Sequence, residues 1–293
     1  MEEAKLPIFL AGFAVFFVVE TLAAKRPWQA PRGERLRTHA AMAAFNTVVL
    51  KLVVLAPFLA WSEYVFRQGW GLAPMLGYSG LGGIVATVIV LDMLDYWWHR
   101  FNHRFGFLWR FHKVHHVDTH VDVTTALRFH PGELFISFFV KLGWIAFWGP
   151  SLLAFAVFEI CVSLASQFHH SNIDLPERWE RRLRTFLVTP RFHTSHHTVS
   201  RRTGDANFAT IFIVWDRLFG TYREPDAKEM EALGLAEGRD DYLSFVTWLA
   251  EPFAQRNQNQ SYRGNRRDTD RRDGDRDERT STEPSTEKSG VQS

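Results

Sequence analysis

The stretch LGGIVATVIVLDMLDYWWHRFNHRFGFLWRFHKVHH, running from Leu81 to His116, decides the fold. Its first half, Leu81 to Trp98, is an apolar run close to the roughly 20 residues that a membrane-crossing helix needs. Its second half carries His99 and His103, then His112, His115 and His116. Positions three and four apart share one helix face, with Cβ atoms about 5–6 Å apart. Each box therefore offers imidazoles that converge, and an apolar span running straight into such boxes predicts a metal site at the mouth of a membrane helix.

Working outward, the second pattern recurs at His193-Thr-Ser-His196-His197, and His120, His130 and the pair His169-His170 lie between. Twelve of the 13 histidines fall between His99 and His197. The only cysteine, Cys161, lies in an apolar run, which excludes a disulfide framework and any cysteine-rich zinc or iron–sulfur site. Imidazole suits zinc, copper, iron and nickel. Eight or more histidines are enough for two ions, whereas one tetrahedral zinc needs about four. No glutamate follows the first histidine of a box as in a zinc protease helix. Asp92 and Asp95 precede His99 on the same helix face, and ligating histidines usually donate their second N–H to a carboxylate or carbonyl. Asp95 is expected to orient a ligand in this way, with Asp118, Asp122 and Asp205 as further candidates.

Other apolar runs are Leu6 to Ala24, Ala40 to Trp61, Leu134 to Trp148 and Ser151 to Phe168. The last two are separated by Gly149-Pro150, a turn signal, and make either two short spans or a hairpin dipping into the bilayer. Lys141 and Glu159 stand at similar distances from that turn and are expected to pair, because unpaired charges in a membrane are expensive. Lys51 is read as reaching toward the interface. The segment Lys25 to Arg37 carries five basic residues against Glu34 alone, and Arg100, Arg104, Arg110 and Lys113 follow the third run. By the positive-inside rule these segments, with the histidine boxes and the C-terminus, are cytoplasmic. Helical stretches are expected around Leu175 to Leu187 and Asp241 to Phe253. From residue 255 the chain is too polar to bury a core and reads as disordered. The net charge of +2 is too small to imply a nucleic-acid partner.

The fold expected is thus all-α: a multi-pass transmembrane helical bundle with a cytoplasmic histidine-rich helical cap and a disordered tail. N-terminal transmembrane helices occupy 1–78, the histidine-box domain 79–254 and the tail 255–293. The residues alone leave open a redox enzyme, a zinc-dependent membrane hydrolase and a non-enzymatic metal-handling membrane protein. Clustering of histidines at the ends of spans, rather than along a path within them, disfavours a transporter.

At this point Asp95-Tyr-Trp-Trp-His-Arg100 with His103, Phe111-His-Lys-Val-His-His116, Thr124 to Glu133, Phe168-His-His-Ser-Asn172, His193 to His197, Asn207-Phe208 and Trp215 to Thr221 together resemble the fatty acid hydroxylase / sterol desaturase superfamily. The resemblance covers roughly residues 85–222. It implies two non-haem iron ions as cofactor and dioxygen as co-substrate, in an oxidoreductase that hydroxylates or desaturates a C–H bond of a membrane lipid. It carries over His99, His103, His112, His115, His116, His193, His196 and His197 as metal ligands, with His130, His169 and His170 competing to complete the shell. Asp95, Asp205 and Asn207 are expected to stand behind the ligands. Two positions depart from the pattern: Ala165 stands where one branch has a histidine, and Ala209 where the superfamily often has glycine. No haem, flavin or cysteine-cluster domain is visible, so electrons must come from an external donor, ferredoxin- or cytochrome b5-like. Trp97, Trp98, Trp109 and Phe111 could line a lipid channel, although aromatics in such positions more often form an interfacial belt and core.

Overall fold

A computed structural model describes residues 2–28, 31–236, 243–254 and Tyr262. Among them the chain is helical, and β-structure is confined to isolated bridges such as Ala24–Ile173. The helices are α1 (Glu2–Leu22), α2 (Arg32–Val53), α3 (Leu55–Gln68), α4 (Leu72–Met75), α5 (Gly80–Arg104), α6 (Gly106–His116), α7 (Pro131–Trp148), α8 (Leu152–His170), α9 (Glu177–Leu183), α10 (Pro190–His196), α11 (Arg201–Gly204), α12 (Val214–Leu218) and α13 (Phe245–Ala250). Apart from Tyr262, the tail expected to be disordered lies outside the described residues, as do Asp241 and Tyr242 at the start of the last expected helix.

Three helical segments are long and apolar enough to cross a membrane: Lys5–Leu22, Gly80–Arg104 and Leu152–His170. The run read as one span from Ala40 to Trp61 is broken, with Arg32–Val53 and Leu55–Met75 bent by 57° at the junction. Pro57 explains the break: it has no N–H to return to Val53, and its ring crowds the preceding turn. Val54 at the junction is stretched to φ −118 within the helical region. Helices α7 and α8, of 18 and 19 residues, are each about 27–28 Å long and form a hairpin. Gly149 makes the turn with φ 68, and a Cβ there would lie 1.8 Å from the Trp70 carbonyl oxygen. Glycine alone fits.

The helices lock together by close approach and by layered apolar contacts. Gly12 of α1 sits where a Cβ would meet the Leu164 and Gln167 side chains of α8 at 2.5 and 2.6 Å, the small-residue packing that membrane helices use. Val65, Leu91, Ile145, Trp148, Phe155 and Phe158 form the core between α3, α5, α7 and α8. A second core, with Tyr96, Phe192, Phe208, Ile213 and Trp215, underlies the cap.

The arginines that the positive-inside rule assigns to the cytoplasm have structural work as well. Arg32 and Arg35 lie in α2, not in a loop. Arg32 pairs with Glu20 at 2.6 Å. Buried Arg35 bonds Asp118 through both terminal nitrogens, at 2.9 and 2.8 Å, and Asp122 through Nε at 2.7 Å. Burial pushes the Asp118 carboxyl up, but the Arg35 guanidinium outweighs it and holds the group far below the carboxylate range. Asp118 and Asp122 therefore tie α2 to the 117–127 segment and do not orient a metal-site ring. The expected Lys141–Glu159 pair is present at 3.8 Å, but Glu159 sits closer to Lys5, at 2.7 Å. The helix expected over Leu175 to Leu187 shortens to α9.

Candidate metal centre

Each histidine box arrives on a helix end. Helix α5 carries His99 and His103 in its last turns, and after one extended residue, Phe105, helix α6 turns His112, His115 and His116 back against them. Thr189 caps α10 by accepting the Phe192 N–H, Pro190 follows at the first helical position, and His193 to His197 end the helix. His170 comes from the last residue of α8.

These rings form two cages. His99, His103, His112, His116 and His196 make one; His115, His170, His193 and His197 make the other. In each cage the facing ring nitrogens all lie within 4.8 Å of one another. Neighbouring Nε2 atoms approach to 3.0 Å (His99–His196; His170–His193), 3.1 Å (His115–His170; His193–His197) and 3.2 Å (His103–His116; His112–His116). Metal–imidazole bonds of about 2.1 Å place adjacent ligand atoms roughly 3 Å apart. The cages adjoin: the His116 and His197 rings stack with centroids 4.5 Å apart.

The protonation pattern shows what these contacts are. His99 Nδ1 lies 2.8 Å from the Phe208 carbonyl oxygen and His196 Nδ1 lies 2.6 Å from that of Ala206. A carbonyl only accepts, so both Nδ1 atoms carry the proton and both Nε2 atoms are bare. Two bare lone pairs then face each other at 3.0 Å. His115 and His170 repeat this, donating to the Arg128 and Ser166 carbonyls at 3.2 and 2.7 Å with Nε2 atoms 3.1 Å apart. Protonation does not relieve the repulsion. Burial, with neighbouring rings, holds His115, His116, His193 and His197 well below the usual imidazole range, and burial pushes His196 down to about 3. A cation between the nitrogens does relieve it, and neutral imidazole is the form that binds metal.

The groups behind the rings differ from the expected ones. Residues 206–212 present the carbonyls of Ala206, Phe208 and Thr210 to His196, His99 and His169 in turn. Two buried carboxylates hold that segment in place. Asp216 accepts the N–H groups of Phe208 and Ala209 at 2.8 and 2.9 Å, and Asp92 accepts those of Ile211 and Phe212 at 3.0 Å each. Asp95 bonds the Thr210 hydroxyl at 2.9 Å and reaches no ring directly. Asp205 stands 3.9 Å from His103 Nδ1, beyond hydrogen-bond range. Asn207, at φ 60, braces the third box by donating to the Ser195 hydroxyl and the Arg223 carbonyl. The left-handed position is thus Asn207 itself, a residue type that tolerates it, and Ala209 replaces glycine without strain. Glu133 is the one carboxylate bonded to a cage ring among the described residues, 2.9 Å from His112 Nδ1. Neither Glu133 nor Asp216 stood out in the sequence, although both fall within the quoted stretches.

Of the three competing histidines, His170 joins the four-ring cage. His169 stands beside it, its ring centroid 3.9 Å from that of His193. His130 lies outside both cages: it caps α7 by accepting the Gly132 N–H, and its Nε2 faces the Leu249 carbonyl. Both cages open on one cavity of about 180 Å³, whose walls include His99, His115, His170 and His193. Of the four aromatics, Trp98 lines it. Trp97 instead packs on Phe219, Trp109 on His103 and Tyr262, and Phe111 on His130.

Residues 84–221 match the sequence model of the fatty acid hydroxylase family. An alkylglycerol monooxygenase of Danio rerio is 35% identical over 220 residues, 72% of this chain and 44% of that protein. An ornithine lipid hydroxylase of Rhizobium tropici is 26% identical over 211 residues, 69% of this chain and 57% of that protein. A very-long-chain aldehyde decarbonylase of Oryza sativa subsp. japonica is 30% identical over 182 residues, 57% of this chain and 58% of that protein. The chain thus spans about half the length of these relatives. Nothing in their names supports a zinc hydrolase or a metal carrier. No solved structure is significantly similar to the chain.

Proposed function

Because residues 84–221 match the fatty acid hydroxylase family model, we propose that the chain is an integral membrane non-haem iron oxygenase that hydroxylates a C–H bond of a lipid, using dioxygen and two electrons. The observation that carries this reading is the pair of imidazole cages in which bare Nε2 atoms face each other about 3 Å apart. His99, His103, His112, His116 and His196 would hold one iron, and His115, His170, His193 and His197 the other. Five imidazoles exceed the four of a tetrahedral zinc site, so the donor set favours iron. Bound iron would supply the dioxygen chemistry that protein side chains lack.

The chain's own residues do the rest. The 206–212 carbonyls and Glu133 keep ring protons on Nδ1 and so keep Nε2 free for metal. The cavity beside the cages admits a substrate chain while the buried rings exclude bulk water. Hydroxylation is preferred to desaturation because two of the relatives are named as a monooxygenase and a hydroxylase. Electrons would come from a separate donor, ferredoxin- or cytochrome b5-like, meeting a cytoplasmic face that carries the cages.

Metal analysis of protein purified from iron-replete cells tests the reading. About two iron ions per chain are expected. Zinc alone, with no iron after anaerobic preparation, would sink it.

A further inference from the structure

The cavity at the cages has a larger neighbour. It shares Leu134, Ser137 and Lys141 with a larger cavity of about 520 Å³ bounded by α2, α3, α7 and α8. Much of the wall is apolar, with Phe58, Phe138 and Phe155, as a lipid chain requires. Yet three ammonium groups line it, Lys5, Lys51 and Lys141, against one carboxylate, Glu159. Lys5 and Lys141 both lie near Glu159, at 2.7 and 3.8 Å, and the Lys141 and Glu159 side chains remain 31% and 30% exposed. On α7, Glu133, Ser137 and Lys141 are four residues apart. One helix face therefore carries a polar group at every turn from His112 to the larger cavity. Ionised side chains among apolar helices are costly and mark function. A purely hydrocarbon occupant would give them nothing to bind.

We propose that the larger cavity binds the anionic group of an amphiphilic lipid, a carboxylate or a phosphate, between Lys51 and Lys141. The chain of that lipid passes the neck at Leu134 and Ser137 toward the histidine cages. The fate of the chain end rests on the oxygenase reading; the binding itself does not. Lys141 lies eight residues along α7 from Glu133, roughly 12 Å. The carbon presented to the cages is therefore several bonds from the anion, and oxidation falls along the chain rather than beside the charged group.

The test is equilibrium binding to the purified full-length protein in detergent, with iron measured on the same sample. The probes are oleate, dioleoylphosphatidate and oleyl alcohol. At least one anion is expected to bind about tenfold more tightly than the alcohol, and which anion does so separates carboxylate from phosphate recognition. Lys51→Met and Lys141→Met should each weaken anion binding roughly fivefold, and Glu159→Gln should strengthen it by a similar factor. Opposite signs separate charge recognition from misfolding. Oleyl alcohol binding as tightly as both anions, or all three variants shifting the same way, would overturn the proposal. Anion binding that persists in a protein holding no iron supports this site while sinking the oxygenase reading. Iron with no charge dependence sinks this site alone.

Discussion

The two histidine cages both draw on the second and third boxes but are held differently. In the five-ring cage His99 and His196 donate to carbonyls of the 206–212 segment, and His112 is bonded to Glu133. In the four-ring cage His115 and His170 donate to single carbonyls of Arg128 and Ser166. There the Nδ1 atoms of His193 and His197 are buried with no hydrogen-bond partner among the described residues. A buried polar group left unmade costs about 1–3 kcal/mol. The first cage has three of its five rings held in this way, and His103 Nδ1 lies 3.3 Å from the Tyr262 hydroxyl. The second relies on packing, and on the ion, for two of its four rings. Groups behind the ligands commonly change metal affinity about 10–100-fold, so the two sites should differ although their donors are alike.

The largest effect expected comes from removing a ligand. His116→Ala and His197→Ala should each lower iron from about two ions per chain to about one, with product formation falling by at least about 100-fold. Metal analysis and lipid product analysis on folded protein check this. Loss of both ions from either variant would show that the cages are one cooperative unit.

A smaller and more selective loss is expected of Asp216→Asn. An amide cannot accept the Phe208 and Ala209 N–H groups as the carboxylate does, so the carbonyls that hold His99 and His196 would shift. The five-ring cage should bind iron about 10–100-fold more weakly while the four-ring cage is little changed. Competition with a graded series of chelators resolves the two sites, and equal weakening of both would break the proposed asymmetry.

The smallest effect concerns acid and the metal-free protein. Buried rings such as His196, pushed down to about 3, stay neutral when folded but take up protons when unfolded, near their ordinary pKa of about 6.5. The unfolded state then binds more protons below that pH, so stability falls as pH drops from about 6.5 toward about 3. Thermal unfolding of stripped protein should begin at a lower temperature at about pH 5 than at about pH 7.5. Restoring iron should raise the unfolding temperature at both pH values without closing that gap, since the unfolded rings still take up protons that metal-bound rings cannot.

Much of this was legible in the sequence because its signals are periodic. Spacings of three and four between histidines survive any detail of packing, so the three boxes were visible as helix faces, and apolar runs marked the spans. What was not legible concerned non-local partners. Asp95 is four residues before His99, and sequence spacing favoured it as the ring's partner. Its carboxylate turns instead to Thr210, 115 residues away. His130 belongs to the same histidine-rich stretch as the ligand candidates but is taken up in capping α7. Arg35 reads as a loop cation and is a fully buried anchor for Asp118 and Asp122. The Ala40 to Trp61 run hid a break because one proline in an apolar stretch changes backbone geometry without changing hydropathy.

By itself, the sequence determined an all-helical membrane architecture and the eight histidines of its three boxes, because both follow from local period and residue chemistry. Only the tertiary structure decided that those histidines, joined by His170, divide into five and four. It also decided which backbone carbonyls fix their protons and which cavity leads to them. Those outcomes depend on contacts between residues as much as 109 positions apart, such as His99 with Phe208, and no period along the chain encodes a meeting that packing alone brings about.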